Sequence, residues 1–224
     1  MNIASNILSI KKQLPPEVKL LVVSKTQPVA RISEAFATGQ RLFGENKARE
    51  MAEKAAQLPA DIAWHFIGHL QTNKVRAIAS SVDTIQSVES LKLLAVIDNE
   101  ARRVERIISC FLQFHIAAEE TKFGLNMNEA LELLNSQEFR SMKNIKISGV
   151  MGMATYTDDD SVVRKEFRNL RSYFEELKSS FFAGDASFCE ISMGMSGDYN
   201  IALEEGSTIV RIGSAIFGER ESNI

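Results

Sequence analysis

Lys25 stands at the end of an uninterrupted apolar run, Leu20-Leu21-Val22-Val23-Ser24, and Pro28 soon ends the extended segment. Four consecutive aliphatic residues rich in Val read as a strand buried on both faces. A lysine is seldom placed where such a strand ends unless its amine is used. Partial desolvation there favours the neutral amine, the nucleophile that an aldehyde cofactor or a carbonyl substrate needs for a Schiff base. A lysine that snorkels from a strand end to water fits the same pattern, and taken alone that is the commoner arrangement.

Other strand ends carry further chemistry. Asn46 follows Phe43-Gly44-Glu45 and suits either a ligand hydrogen bond or the cap of a helix over 47–57. His65 and Ile67 open the stretch HFIGHLQTNK (65–74). The gap between His65 and His69 resembles metal spacing, but no carboxylate or cysteine stands at ligand distance, so no metal is expected. A neutral histidine there is hydrogen-bonded structure or a pocket wall. His115 reads as a satisfied core histidine within the fifth strand. The seventh strand runs into Ser192-Met193-Gly194-Met195-Ser196-Gly197-Asp198, and the eighth into Gly213-Ser214. Glycines let backbone approach an anion closely, and serine hydroxyls with helix-start N–H groups bind phosphate. Asp198 is expected to cap the following helix. Arg211 interrupts an apolar strand, so its guanidinium must find a partner: a ring nitrogen, a phosphate or a structural carboxylate. Met151, Met153, Met193 and Met195 read as soft gap filling rather than as a wall against a planar ring. Asp158-Asp159-Asp160 reads as a solvated helix start.

The elements that position these residues alternate along the whole chain. Strands are predicted near 20–24, 41–43, 62–67, 83–86, 109–117, 145–151, 187–192 and 208–212. Helices are predicted near 29–38, 46–57, 72–80, 89–104, 127–138, 160–180 and 197–205, with an extra helix over 2–13. In 160–180 the period is plain: Val163, Phe167, Leu170, Phe174 and Leu177 recur at three- and four-residue spacing. Repeated βα units imply a parallel sheet with right-handed crossovers. Eight of them in a chain of 224 residues fit an α/β fold of the (β/α)8 TIM barrel type, with a doubly wound open sheet as the competitor. In such barrels chemistry sits at the C-terminal strand ends and phosphate beside strands seven and eight, where the candidates fall. No linker or composition shift divides the chain, so a single domain over 1–224 is expected.

Bulk composition excludes several classes. Hydrophobic residues make up 45% and charged residues 25%, an ordinary globular balance. A net charge of −3 gives no basic field for nucleic acid or anionic lipid. No apolar stretch reaches 18 residues and the N-terminus is not signal-like, so no membrane segment is expected. Cys110 and Cys189 sit in apolar runs and read as buried thiols of a reducing compartment.

A nucleophilic lysine, a phosphate cradle across the barrel and a buried arginine together suggest pyridoxal 5′-phosphate. The same residues carry a resemblance to the YggS/PROSC family, the pyridoxal phosphate homeostasis proteins, which are related to the barrel domain of bacterial alanine racemases. The matching stretches are VVSKTQP (22–28), FGEN (43–46), WHFIGHLQTNK (64–74), SVES (87–90), EETKFG (119–124), GVMGMAT (149–155) and SMGMSGDYNIALEEGSTIVRIGSAIFG (192–218). The resemblance implies that Lys25 holds the cofactor as an internal aldimine. It implies phosphate contacts from Ser192, Ser196, Gly213 and Ser214, Arg211 beside the pyridine nitrogen, and Asn46, His65 and Ile67 flanking the ring. It further implies a cytosolic, largely monomeric protein that buffers the free cofactor and passes it to apo-forms of pyridoxal phosphate enzymes, with no established turnover. Lys47-Ala48-Arg49-Glu50 departs from the stretch that often follows FGEN in the family.

Two enzymatic readings compete with the binder. An arginine at the pyridine nitrogen disfavours ring protonation and so weakens the electron sink that carbanion chemistry needs. A racemase also requires a second base on the opposite face, which in the racemases comes from a second domain. The chain stops at Ile224, soon after strand eight, so that domain is not expected. Among Tyr156, Tyr173 and Tyr199, Tyr156 in the loop after strand six is the one placed to reach the mouth. A lysine-dependent aldolase would have its lysine at an unusual strand and lacks evident carboxylate bases.

Overall fold

The alternation of aliphatic runs and amphipathic stretches resolves into eight parallel strands, each followed by helix, in a computed structural model that describes residues 2–118 and 123–218. The strands are β1 (Lys19–Val23), β2 (Leu42–Glu45), β3 (Ala63–Phe66), β4 (Val82–Val88), β5 (Ile108–Phe114), β6 (Ile145–Gly152), β7 (Glu190–Ser192) and β8 (Ile209–Ile212). The helices are α1 (Ile3–Gln13), α2 (Val29–Ala37), α3 (Ala48–Ala55), α4 (Val75–Ile78), α5 (Leu91–Arg103), α6 (Met127–Asn135), α7 (Gln137–Ser141), α8 (Asp160–Ser180), α9 (Tyr199–Glu204) and α10 (Ser214–Phe217). Strands pair in chain order and β1 closes on β8, with Leu21 opposite Arg211. The closed sheet settles the choice against an open one.

Paired residues of a parallel ladder share a face, and residues two apart on a strand do too. Leu21, Ile209 and Arg211 therefore point into the barrel. Leu21 and Ile209 join Phe111 and Met151 in a small inner apolar cluster, while the main core fills the space between strands and helices. α8 buries Val163, Phe167, Leu170, Phe174 and Leu177, the stripe that the spacing predicts. Asp159 supplies its N-cap, accepting from the Ser161 N–H, and those hydrogen bonds hold its carboxyl below the usual range. α1 buries Ile3, Ile7 and Ile10, and Asn6 donates to the Ile216 carbonyl in α10 at 2.9 Å.

The structure corrects several details. The helix predicted over 127–138 breaks at Ser136, whose extended backbone ends α6 while its Oγ caps α7. β7 starts at Glu190 rather than 187, because Asp185 turns the chain by accepting from Ser187 N–H at 2.8 Å. The segment 72–80 is a 3-10 turn, Thr72–Lys74, followed by the single turn α4. Cys110 is buried but Cys189, one residue ahead of β7, is exposed. His115 lies one residue beyond β5 and is half-buried rather than in the core. Residues 119–122 of the EETKFG stretch lie outside the described residues. Among the described residues no helix is long and apolar enough to cross a membrane, and no cluster of three metal-ligating side chains forms.

Candidate functional site

Lys25 lies two residues past β1, half-buried, between neighbours that are both anchored. Ser24 is fully buried, and its N–H donates to the Gly44 carbonyl at 3.0 Å. Thr26 adopts φ 66°, a left-handed conformation that costs a β-branched residue about 1–3 kcal/mol. Its N–H donates to Glu50 Oε1 at 2.6 Å.

On β8, the strand next to β1, Arg211 is 4% exposed. Its Nη1 donates to Ser192 Oγ at 2.8 Å and its Nη2 to the Gly152 carbonyl at 2.9 Å. Neither acceptor is charged. Burial pulls its pKa down to about 10, with Asp198 opposing, so the guanidinium stays a cation at neutral pH. Ser192 in turn donates to Gln86 Oε1 at 2.7 Å, and Gln86 Nε2 meets His65 Nδ1 at 2.7 Å. With Gln86 Oε1 accepting from serine, its amide faces the imidazole as donor, so Nδ1 is the unprotonated nitrogen of a neutral ring. Burial, with Lys19 adding repulsion, lowers the His65 pKa to about 3. The sign follows. The unfolded chain takes up a proton near pH 6.5 and the folded chain does not, so stability is full above pH 6.5 and is lost as pH falls toward 3. This one group gives a slope of about 1.4 kcal/mol per pH unit in that window, and urea melts of His65→Gln against pH should show a shallower slope.

Lys25 and Arg211 line one cleft of about 610 Å3 at the C-terminal ends of the strands. Asn46, Ile67, Ser196, Gly213 and Ser214 line it as well. Its volume lies in the usual range of small-molecule sites, roughly 300–1,000 Å3. Ser192 and His65, expected at the ligand, lie one layer beneath as the hydrogen-bonded support of Arg211. Asn46 does not cap α3, whose N-cap is Lys47. Its Oδ1 is buried without a hydrogen-bond partner. Asp198 holds the N-cap position of α9, but its Oδ1 turns back to accept from Met195 N–H at 2.5 Å. Met151 and Met193 are buried, whereas Met153 and Met195 line the cleft.

The sequence did not reveal several contributors. Gln113, His69 and Phe123 also line the cleft. The His69 ring stacks on Phe123 with centroids 4.2 Å apart, and its Nδ1 lies 3.0 Å from Glu89 Oε1. Glu166 of α8, buried, accepts from Ala118 N–H at 3.0 Å and from Thr155 N–H at 2.6 Å, which joins the loops after β5 and β6. Glu166→Ala strands Thr155 N–H and leaves Ala118 N–H only Thr155 Oγ1, and should cost about 1–3 kcal/mol by denaturant titration, with faster exchange at Thr155. Arg31 ties α2 to the Phe217 carbonyl at 2.6 Å, behind the Gly213–Ser214 rim. None of these partners is a sequence neighbour, so no local spacing announces them.

The donor set suits an aldehyde-bearing aromatic phosphate. Lys25 lines the cleft, and so does a buried cation with uncharged partners. The unpartnered Asn46 Oδ1 calls for a donor from the ligand. Close backbone packing holds the wall. A Cβ on Gly68 would fall 2.4 Å from the Asn46 carbonyl, and one on Gly213 would fall 3.0 Å from the Val23 carbonyl.

Fold and cleft together define a (β/α)8-barrel protein with a cleft of small-molecule size at the C-terminal face of its strands. The model of the family described as alanine racemase, N-terminal domain, matches residues 1–221. The chain is 35% identical over 234 residues to the pyridoxal phosphate homeostasis protein of Pasteurella multocida, covering 99% of each. The solved structure of PipY from Synechococcus elongatus PCC7942 with PLP bound superposes with a TM-score of 0.86 at 35% identity, covering 96% of this chain and 100% of that one. An alanine racemase of Clostridium difficile shares the fold at 15% identity, with a TM-score of 0.79 over 99% of this chain and 58% of that one. The chain belongs to the alanine racemase N-terminal domain family, in its YggS/PROSC branch of pyridoxal phosphate homeostasis proteins.

Proposed function

We propose that this protein binds pyridoxal 5′-phosphate and buffers its free level, as a single-domain, cytosolic monomer without a dedicated catalytic turnover. When bound, the cofactor supplies an aldehyde that condenses with an amine. Lys25 Nζ is the covalent attachment point. Arg211 faces the ring nitrogen as a fixed donor, held by Ser192 and Gly152. Ser196, Gly213 and Ser214 hold the phosphate, Ser192 acting through Arg211. Asn46 and Ile67 flank the ring, with His65 behind. The observation that carries the reading is that Lys25 and the buried Arg211 line the same cleft, together with the Gly/Ser ends of β7 and β8. The names and bound ligand of the relatives support it. Transfer to apo-forms of pyridoxal phosphate enzymes is a part of the same role. Visible absorption before and after borohydride reduction, with peptide mapping of the adduct, tests it. A reduced adduct on Lys25 is expected, and an adduct on another residue would refute the assignment.

A second reading, weak amino-acid racemisation, has one observation in its favour: Tyr156 lines the cleft with 97% of its surface exposed. Tyr173 packs on Phe114 and Tyr199 bonds Gln13, so neither competes for that role. Turnover that disappears in Tyr156→Phe would establish it.

A further inference from the structure

The cleft does not account for a buried ionic group beside it. Lys54 of α3 is 6% exposed, and its Nζ lies 2.7 Å from Glu45 Oε1, 2.7 Å from Glu50 Oε1 and 2.8 Å from the Ser24 carbonyl. Glu45 Oε1 also accepts from Ser24 Oγ at 2.6 Å, and Glu50 Oε1 from Thr26 N–H at 2.6 Å. None of the three charged residues lines the cleft. Their other side-chain hydrogen bonds go to the two residues that flank Lys25. Such a group is a poor device for stability alone, because desolvating two carboxylates and an ammonium offsets much of their attraction. Glu45 Oε2 is buried with no partner, and burial pushes the Glu45 carboxyl upward. The group is also where the chain is strained, at Thr26 φ 66°. A strained residue beside a reactive one persists when its surroundings over-determine it.

We propose that Lys54, Glu45 and Glu50 are positioning residues for Lys25: they hold the Ser24–Thr26 turn in the geometry that presents the amine to the cleft, and so set the rate at which it captures a carbonyl carbon. This rests on the reading that Lys25 captures the cofactor aldehyde. In that step the amine lone pair forms the carbon–nitrogen bond, and the carbonyl oxygen departs as water with both amine protons. A small displacement of the attacking nitrogen costs rate steeply, while phosphate and ring contacts from Arg211, Ser196 and Ser214 are untouched. Capture and noncovalent affinity should therefore separate.

The test uses full-length protein, pyridoxal 5′-phosphate for capture, and pyridoxine 5′-phosphate, whose alcohol cannot link, for noncovalent affinity. Glu50→Ala should slow capture, followed by stopped-flow absorption, by about 10- to 100-fold and leave affinity for the alcohol unchanged. Glu50→Gln keeps the acceptor for Thr26 N–H and should restore most of the rate. Glu45→Gln/Lys54→Met, which removes the buried Glu45–Lys54 pair and leaves the partly exposed Glu50 carboxylate on Thr26 N–H, should fold and show slowed capture. Wild-type capture that is equally fast in Glu50→Ala and in the double variant would overturn the proposal. So would a parallel loss of affinity for the alcohol. A wild-type protein that binds the alcohol but never links the aldehyde would instead defeat the reading of Lys25 itself.

Discussion

Lys25→Ala is expected to abolish borohydride-trappable cofactor completely while leaving the unfolding midpoint within about 0.5 kcal/mol of wild type. Both halves follow from where the residue sits. Lys25 lies beyond β1, so no ladder bond is lost, and the anchors of its turn act on Ser24 and Thr26. Among the described residues no other lysine lines the cleft, so no second amine is placed to substitute. Noncovalent binding should persist through Arg211 and the hydroxyls of Ser196 and Ser214. Equilibrium dialysis of the variant against pyridoxal 5′-phosphate, with mass spectrometry after reduction, separates the two modes. An adduct that survives the substitution at full yield would move the attachment point elsewhere.

Arg211→Met should weaken cofactor binding by about 10- to 100-fold, the loss of one charge-assisted contact of roughly 1.5–3 kcal/mol. Methionine refills most of the volume, so the change reports chemistry rather than a cavity. Stability should fall as well, by about 1–3 kcal/mol, because Ser192 and the Gly152 carbonyl lose their donor in a dry interior. Isothermal titration with pyridoxal 5′-phosphate and denaturant melts read the two effects separately. Unchanged affinity would remove Arg211 from the site.

The fold was legible because strands such as β1 and β5 are short runs rich in aliphatic or aromatic residues, separated by amphipathic segments whose 3.6 period is plain, as in α8. The ends of β1, β7 and β8 were legible because barrels keep their chemistry there. Depth was not legible. Alternation tells which side of a strand Ser192 and His65 occupy, but not that Ser192 is taken up by Arg211 and Gln86, and His65 by Gln86. The partners of Lys54 were half visible: Glu50 precedes it by one helical turn, while Ser24 and Glu45 reach it through the pairing of β1 with β2. Cys189 misled because β7 starts only at Glu190 and leaves this residue exposed just ahead of the strand.

A guanidinium whose bonded acceptors are neutral, opposed by the Asp198 carboxylate in the same cleft, keeps a local positive charge at the cleft wall in a chain whose overall charge is −3. That field reaches into solvent only about 8 Å at physiological ionic strength, so it does not steer anions from afar. It acts as a short-range trap, and inorganic phosphate and sulfate become natural competitors for the protein's ligand.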